Sequence, residues 1–198
     1  VAKDYEALVL NEPEHRVQAA GVAARSLRDS PSAMAVSSDP FVRLDMQYST
    51  YRRMISEAGE VAGVMRGDCV LGVATAVVPG ACVAHMLPEE LRLSEPPAPE
   101  LPDMHRYLYM GSVMATYDLP EEHWHVGPVG IEPGFQGRGL GHAAMEVLGG
   151  RLDDRGAIAW LETDKPENVR FYISLGYEVV SEAPFLGGSF WFMRRDPR

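Results

Sequence analysis

The stretch Pro133–Met145, PGFQGRGLGHAAM, decides how the chain reads. Gly137, Gly139 and Gly141 fall at alternate positions, and small and apolar residues suited to a helix follow. Glycine weakens a helix start unless the backbone must turn left-handed or be approached closely. A helix N-terminus leaves N–H groups without intrahelical partners and carries the positive end of the dipole, so a phosphate completes it. Arg138 adds a fixed positive charge. The residues before and after read as strand and helix, which places a candidate phosphate site at a strand–loop–helix junction.

Three phosphate loops compete. A P-loop needs Lys-Ser/Thr after its last glycine, and none follows here. A dinucleotide fingerprint needs Gly-x-Gly-x-x-Gly, whereas this spacing is Gly-x-Gly-x-Gly and no βαβ unit stands near the N-terminus. A coenzyme A pyrophosphate loop wants Gln/Arg-x-x-Gly-x-Gly/Ala after a strand and opening a helix. Gln136, Gly137, Arg138, Gly139, Leu140 and Gly141 fit that spacing, with His142 next in the helix. A merely flexible turn leaves Gln136 and Arg138 unexplained. The preceding strand, HVGPVGI, is interrupted by Gly127, Pro128 and Gly130, which mark a bulge or a close backbone approach. A strand that parts from its neighbour there opens a slot. Backbone groups of Val129 and Ile131 would then pair with an extended, amide-bearing ligand such as pantetheine.

Working outward, the chain alternates periods. YEALVL (5–10) reads as a strand, 12–29 as a helix, SPSAMAVSSDP (30–40) as a loop, and 41–58 as a helix with Leu44, Tyr48, Tyr51 and Ile55 on one face. Two strands flank Arg66-Gly67-Asp68, a tight hairpin. Residues 81–119 are proline-rich and read as a loop or lid with short helices, including an aromatic helix in MHRYLYMGSVMATYDL. Strands at 123–131 and 157–163 follow, then a helix in KPENVRFYISLG and two final strands. Gly149-Gly150 is expected to bend or end the helix after the glycine loop.

The 198 residues fit one domain, 46% of them hydrophobic, with a formal net charge of -10. That balance argues against a nucleic-acid or anionic-membrane binder and suits a cationic small molecule. Cys69 and Cys82 form no disulfide framework or Cys-x-x-Cys. The first residues carry acids and no apolar leader, so a cytoplasmic location is expected.

These stretches resemble the GNAT N-acetyltransferase superfamily. VGIEPGFQGRGLGHAAM carries the likeness together with WLETDKPENVRFYISLGYEVV, through Leu161, Glu162, Asn168, Tyr172, Gly176 and Tyr177. The two motifs stand in the family's order. The C-terminal third, with its final strand Trp191–Arg194, is most similar to puromycin N-acetyltransferase-like members. The first 120 residues match only in the order of elements. The resemblance implies an α/β (α+β type) fold: a single domain over 1–198 with a mixed, mostly antiparallel, splayed sheet of six or seven strands flanked by helices. It implies acetyl-CoA as co-substrate and a primary amine as acceptor. The backbone from Gln136 to His142 would cradle the pyrophosphate, and the stretch Val129-Gly130-Ile131 and Asn168 would hold pantetheine. Tyr172 would be the general acid, a task suited to a phenol that is neutral at pH 7.

The base is open between Glu162 and His125, which shares a strand face with His123. His-x-His is also a possible metal pair, but no third ligand is evident from spacing, so no metal is expected. The acceptor is expected to be a small-molecule amine, held by the N-terminal helices and the 81–119 region, in a monomer or homodimer. Two alternatives are a protein N-terminus or lysine as acceptor, and a non-catalytic acyl-CoA sensor.

Overall fold

The computed structural model describes residues 4–82 and 86–198. Strand β1 (Glu6–Val9) leads into three helices that each begin with proline: α1 (Pro13–Leu27), α2 (Pro31–Val36) and α3 (Pro40–Glu57). Proline suits the first helical turn, where its missing N–H is no loss. The loop expected over 30–40 therefore holds a helix. Its cause is local: Ser30 accepts a hydrogen bond from the Ala33 N–H, and Asp39 likewise caps α3 through Phe41 and Val42.

The hairpin β2 (Glu60–Arg66) and β3 (Cys69–Val77) turns at Gly67, whose φ of 56° is left-handed. The expected loop-rich region holds a short 3-10 turn (Glu89–Leu91) and helix α4 (Asp103–Thr116), and its residues 83–85 lie outside the described residues. Then come β4 (Trp124–Ile131), α5 (Leu140–Asp153), β5 (Ala159–Thr163), α6 (Pro166–Ser174), β6 (Glu178–Phe185) and β7 (Gly188–Arg195). Helix α5 continues through Gly149-Gly150 instead of ending there. Leu148 and Leu152, both fully buried, anchor that turn from either side.

The seven strands lie in the order β1-β2-β3-β4-β5-β7-β6, antiparallel except for the β4–β5 pair. That parallel pair joins only Trp124 to Ala159 and His125 to Trp160, and then the strands part. The sheet is mixed, mostly antiparallel and splayed, as expected. Alternation along β2 sends Val61 to one face, against Leu10, Ala20 and Ile55 of the α1/α3 side, and Ala62 to the other, against Ala144 and Leu148 of α5. A third cluster of Trp160, Phe185, Phe190 and Phe192 packs under α4. Among the described residues no helix is long and apolar enough to cross a membrane.

Candidate active site

The glycine loop has the geometry its sequence demands at two of its three glycines. Gly137 (φ 73°) and Gly139 (φ 79°) are left-handed, and a Cβ on either would meet nothing within 4 Å. Gly139 is the N-cap of α5 and offers no side chain, so the first N–H groups of α5 face outward without a protein cap. Gly141 differs: a Cβ there would touch the Phe171 ring at 3.5 Å, so its smallness serves the contact between α5 and α6. His142 lies in that same contact, with Nε2 3.1 Å from the Ser174 hydroxyl and its ring edge-on to Phe171. Arg138 is exposed, donates to the Tyr5 hydroxyl and the Gly134 carbonyl, and stacks over Phe135.

Beside this loop lies the open edge of β4. Glu132 N–H donates to Leu71 of β3, and the Pro128 carbonyl accepts from the Thr75 hydroxyl of β3. Strand alternation then turns the backbone groups of Val129 and Ile131 the other way, toward the gap left by β5. Gln136 Nε2 donates to the Ile131 carbonyl across that edge. Gly130 faces β3 with its hydrogen-bonding groups and α1 with its Cα: a Cβ there would lie 2.1 Å from Ser26 Oγ and 3.3 Å from the Ala23 backbone. The close approach read from this glycine is thus made by a helix of the same chain.

The splay opens into a cavity of about 190 Å³ between β4, β5, α6 and the helices α1 to α4. Val129, Asn168 and Tyr172 line one end, and Glu162 and Asp164 the floor. Gln47, Tyr51 and Met54 of α3 and Tyr107, Met110 and Met114 of α4 form the opposite wall. Tyr172 is nearly buried, wedged edge-on between Phe171 and Tyr177. Burial raises the pKa of its phenol, and Tyr177, Glu162 and Asp164 add to the rise, so it stays protonated through neutral pH. Asn168 Nδ2 donates to the Thr163 hydroxyl at 3.1 Å, and Asp164 accepts the Ser32 N–H at 2.8 Å.

His125 Nε2 stands 3.2 Å from Glu162 Oε2, an ion-pair contact rather than an aligned hydrogen bond. Burial alone would lower the His125 pKa, but the Glu162 carboxylate and the Cys82 sulfur outweigh it and raise it. His123 has its Nδ1 2.8 Å from the Glu121 carbonyl and its Nε2 3.3 Å from Asp118 Oδ1. Burial opposes its charge as well, yet Asp118, Cys82 and Glu121 bring it up to about 9. Spacing offered the two histidines no third partner. The fold brings both Cys82 and Asp118 beside them, with one ligand atom of each of the four residues within 4.8 Å of the others.

Two acceptor atoms of the cavity walls, Gln47 Oε1 and Glu162 Oε2, are buried and have no hydrogen-bond partner. Gln47, Tyr107 and Asp164 were not singled out from the sequence. Tyr51 was read as one member of an apolar helix face, and only the meeting of α3 and α4 over β5 makes it part of a site.

The model of the acetyltransferase (GNAT) family matches residues 32–177. The fold is similar to that of the polyamine N-acetyltransferase of Drosophila melanogaster that forms N-acetylagmatine, at a TM-score of 0.70 and 14% identity over 96% of this chain and 100% of that one. A mutant agmatine N-acetyltransferase in its apo form superposes at 0.69 with 15% identity, covering 98% and 100%. PaiA N-acetyltransferase from Thermoplasma acidophilum, solved in complex with coenzyme A, gives 0.59 with 11% identity over 97% and 98%.

Proposed function

This chain belongs to the acetyltransferase (GNAT) family, and on that premise we propose that it moves the acetyl group of acetyl-CoA to the primary amine of a small cationic molecule. The family makes it an acyltransferase that uses acetyl-CoA. The acceptor class rests on one observation: Gln47 Oε1 is buried in the cavity wall without a hydrogen-bond partner, in a cavity that also holds the Glu162 carboxylate. Buried acceptors left unpaired are costly, and an ammonium or guanidinium group supplies the missing N–H donors. Tyr51 and Tyr107 also line that wall, and aromatic rings suit a cation further.

The residues divide the work. Gly137, Gly139 and the first N–H groups of α5 cradle the pyrophosphate, in the open space where side chains are missing. The open edge at Val129 and Ile131 pairs with the pantetheine amides, with Asn168 beside it. Acetyl-CoA supplies a thioester carbonyl open to attack by an amine. Glu162 takes the ammonium proton, with His125 behind it as the positioning contact. Tyr172 gives its phenolic proton to the departing thiolate. Holding amine and thioester in one cavity contributes further.

The cavity is walled by five helices, α1 to α4 and α6, which favours a small molecule over a protein segment. A thiol-release panel of diamines, polyamines, agmatine, puromycin, amino acids and short peptides tests this. Turnover with small dications and none with peptides is expected. Turnover with peptides alone overturns the acceptor class, and coenzyme A binding without turnover on any amine overturns the transferase reading.

A further inference from the structure

Beyond acetyl transfer, we propose that Cys82, Asp118, His123 and His125 form a closed tetrahedral site for one zinc(II) ion. One ligand atom from each lies within 4.8 Å of all the others. In a tetrahedral zinc site, nitrogen and oxygen ligands stand about 3.3 Å apart, and about 3.5 Å where one is sulfur. His123 Nε2 and Asp118 Oδ1 are 3.3 Å apart, while Cys82 Sγ lies 3.7 Å from the other oxygen of that carboxylate, Oδ2. The first pair already stands at the spacing the ion requires, and the second holds the sulfur against the same carboxylate.

The outer groups orient the same site. A ligating imidazole characteristically donates its second N–H to a carbonyl or carboxylate, which fixes the tautomer. His123 Nδ1 meets the Glu121 carbonyl at 2.8 Å, which leaves Nε2 for the metal. His125 turns Nε2 to the Glu162 carboxylate at 3.2 Å, which leaves Nδ1. That Nδ1 is buried and has no hydrogen-bond partner, on a residue 3% exposed. A buried nitrogen without a partner is a cost that a metal bond removes. Cys82 and His123 are nearly as enclosed, at 2% and 5% exposure, so all four positions are filled by protein and no water position is needed. A thiolate and two imidazoles select a borderline-soft ion over magnesium or calcium.

The site also has a structural task. Cys82 follows β3, Asp118 follows α4, His123 directly precedes β4 and His125 lies in it, so the ion ties both ends of the intervening segment to the sheet. That segment carries α4, which supplies Tyr107 and Met110 to the cavity wall. His125 then links the ion to Glu162, so zinc would fix both the acceptor wall and the carboxylate at its floor.

The test uses the untagged 198-residue chain and reads metal, not turnover. Elemental analysis is expected to give about one zinc per chain after dialysis. Cobalt(II) added to the stripped protein is expected to give a sulfur-to-cobalt charge-transfer band and the intense visible bands of a tetrahedral ion. Cys82→Ser should abolish the charge-transfer band, whereas Cys69→Ser, at an exposed position, should keep it. Stripped wild-type protein that takes up neither zinc nor cobalt stoichiometrically, and whose melting temperature zinc leaves unmoved, overturns the proposal. So does a charge-transfer band that survives Cys82→Ser. Both readouts are independent of whether any amine is acetylated.

Discussion

Replacing Gly139 separates what the loop costs in folding from what it does in binding. Its φ of 79° is left-handed, and the space around its missing Cβ is open. Alanine and glutamate therefore bring the same backbone strain and no clash. That strain is about 1–2 kcal/mol, the left-handed penalty of an L-residue. In a chain of this size it lowers the melting temperature by roughly 2–8 °C. The glutamate variant adds a longer side chain ending in a carboxylate at the point where the pyrophosphate is placed. Two phosphate charges at about 6–8 Å from a carboxylate in a water-like dielectric repel it by about 1–1.4 kcal/mol, about five- to tenfold in affinity. Calorimetric titration with coenzyme A should thus give Gly139→Glu about five- to tenfold weaker binding than Gly139→Ala, with equal melting temperatures. Competition by pantetheine, which lacks the diphosphate, should be the same in both. Equal coenzyme A affinities in the two variants would refute the placement of the pyrophosphate at this helix start.

The other expectations test separate parts of the structure. Tyr172→Phe should lower kcat by about 10²-fold, the lower end of general-acid effects, with the KM for acetyl-CoA little changed; unchanged turnover when chemistry limits the rate removes its role. Gly130→Ala should destabilise the chain by about 1–3 kcal/mol through overpacking, because its Cβ would fall 2.1 Å from Ser26 Oγ. Adding Ser26→Ala should restore part of that loss in urea unfolding, and no rescue would mean the α1–β4 contact is not the cause. Glu60 is buried; burial raises its pKa, but hydrogen bonds from Arg151 and Arg155 outweigh this and lower it. A carboxyl with a lowered folded-state pKa contributes stability above its unfolded pKa and loses it as pH falls through the folded value. Unfolding free energies measured from pH 7 to pH 3 should therefore fall less steeply in Glu60→Gln than in the wild type; parallel curves would rule the pair out.

What the sequence disclosed follows from the range of the interactions involved. Left-handed turns at Gly137 and Gly139 are local demands, so spacing alone marks them. The interruption of β4 by Gly127, Pro128 and Gly130 is also local, and the sheet does open beside it. The meaning of each glycine is not local. Gly130 admits Ser26 of α1, and Gly141 admits Phe171 of α6, partners that lie far away in sequence. Helix α2 escaped notice because its signals, Ser30 and Pro31, stand in a six-residue helix too short to show a period. The far wall of the cavity was illegible for a further reason. Tyr51, Tyr107 and Gln47 are ordinary amphipathic-helix residues until α3 and α4 meet over β5. Cys82 and Asp118 likewise gain their relation to His123 and His125 only when β3 and β4 pair and the chain returns from α4.

Product analysis with acetyl-CoA labelled in its acetyl carbonyl carbon, and one diamine as acceptor, is the most direct test of the central reading. Mass spectrometry should find one labelled acetyl group on a primary nitrogen for each coenzyme A released, with Glu162→Gln slowed and Tyr172→Phe slowed further from the same binding. Label recovered only as free acetate, or acetyl-CoA bound and returned intact, would contradict transfer to a small cationic amine.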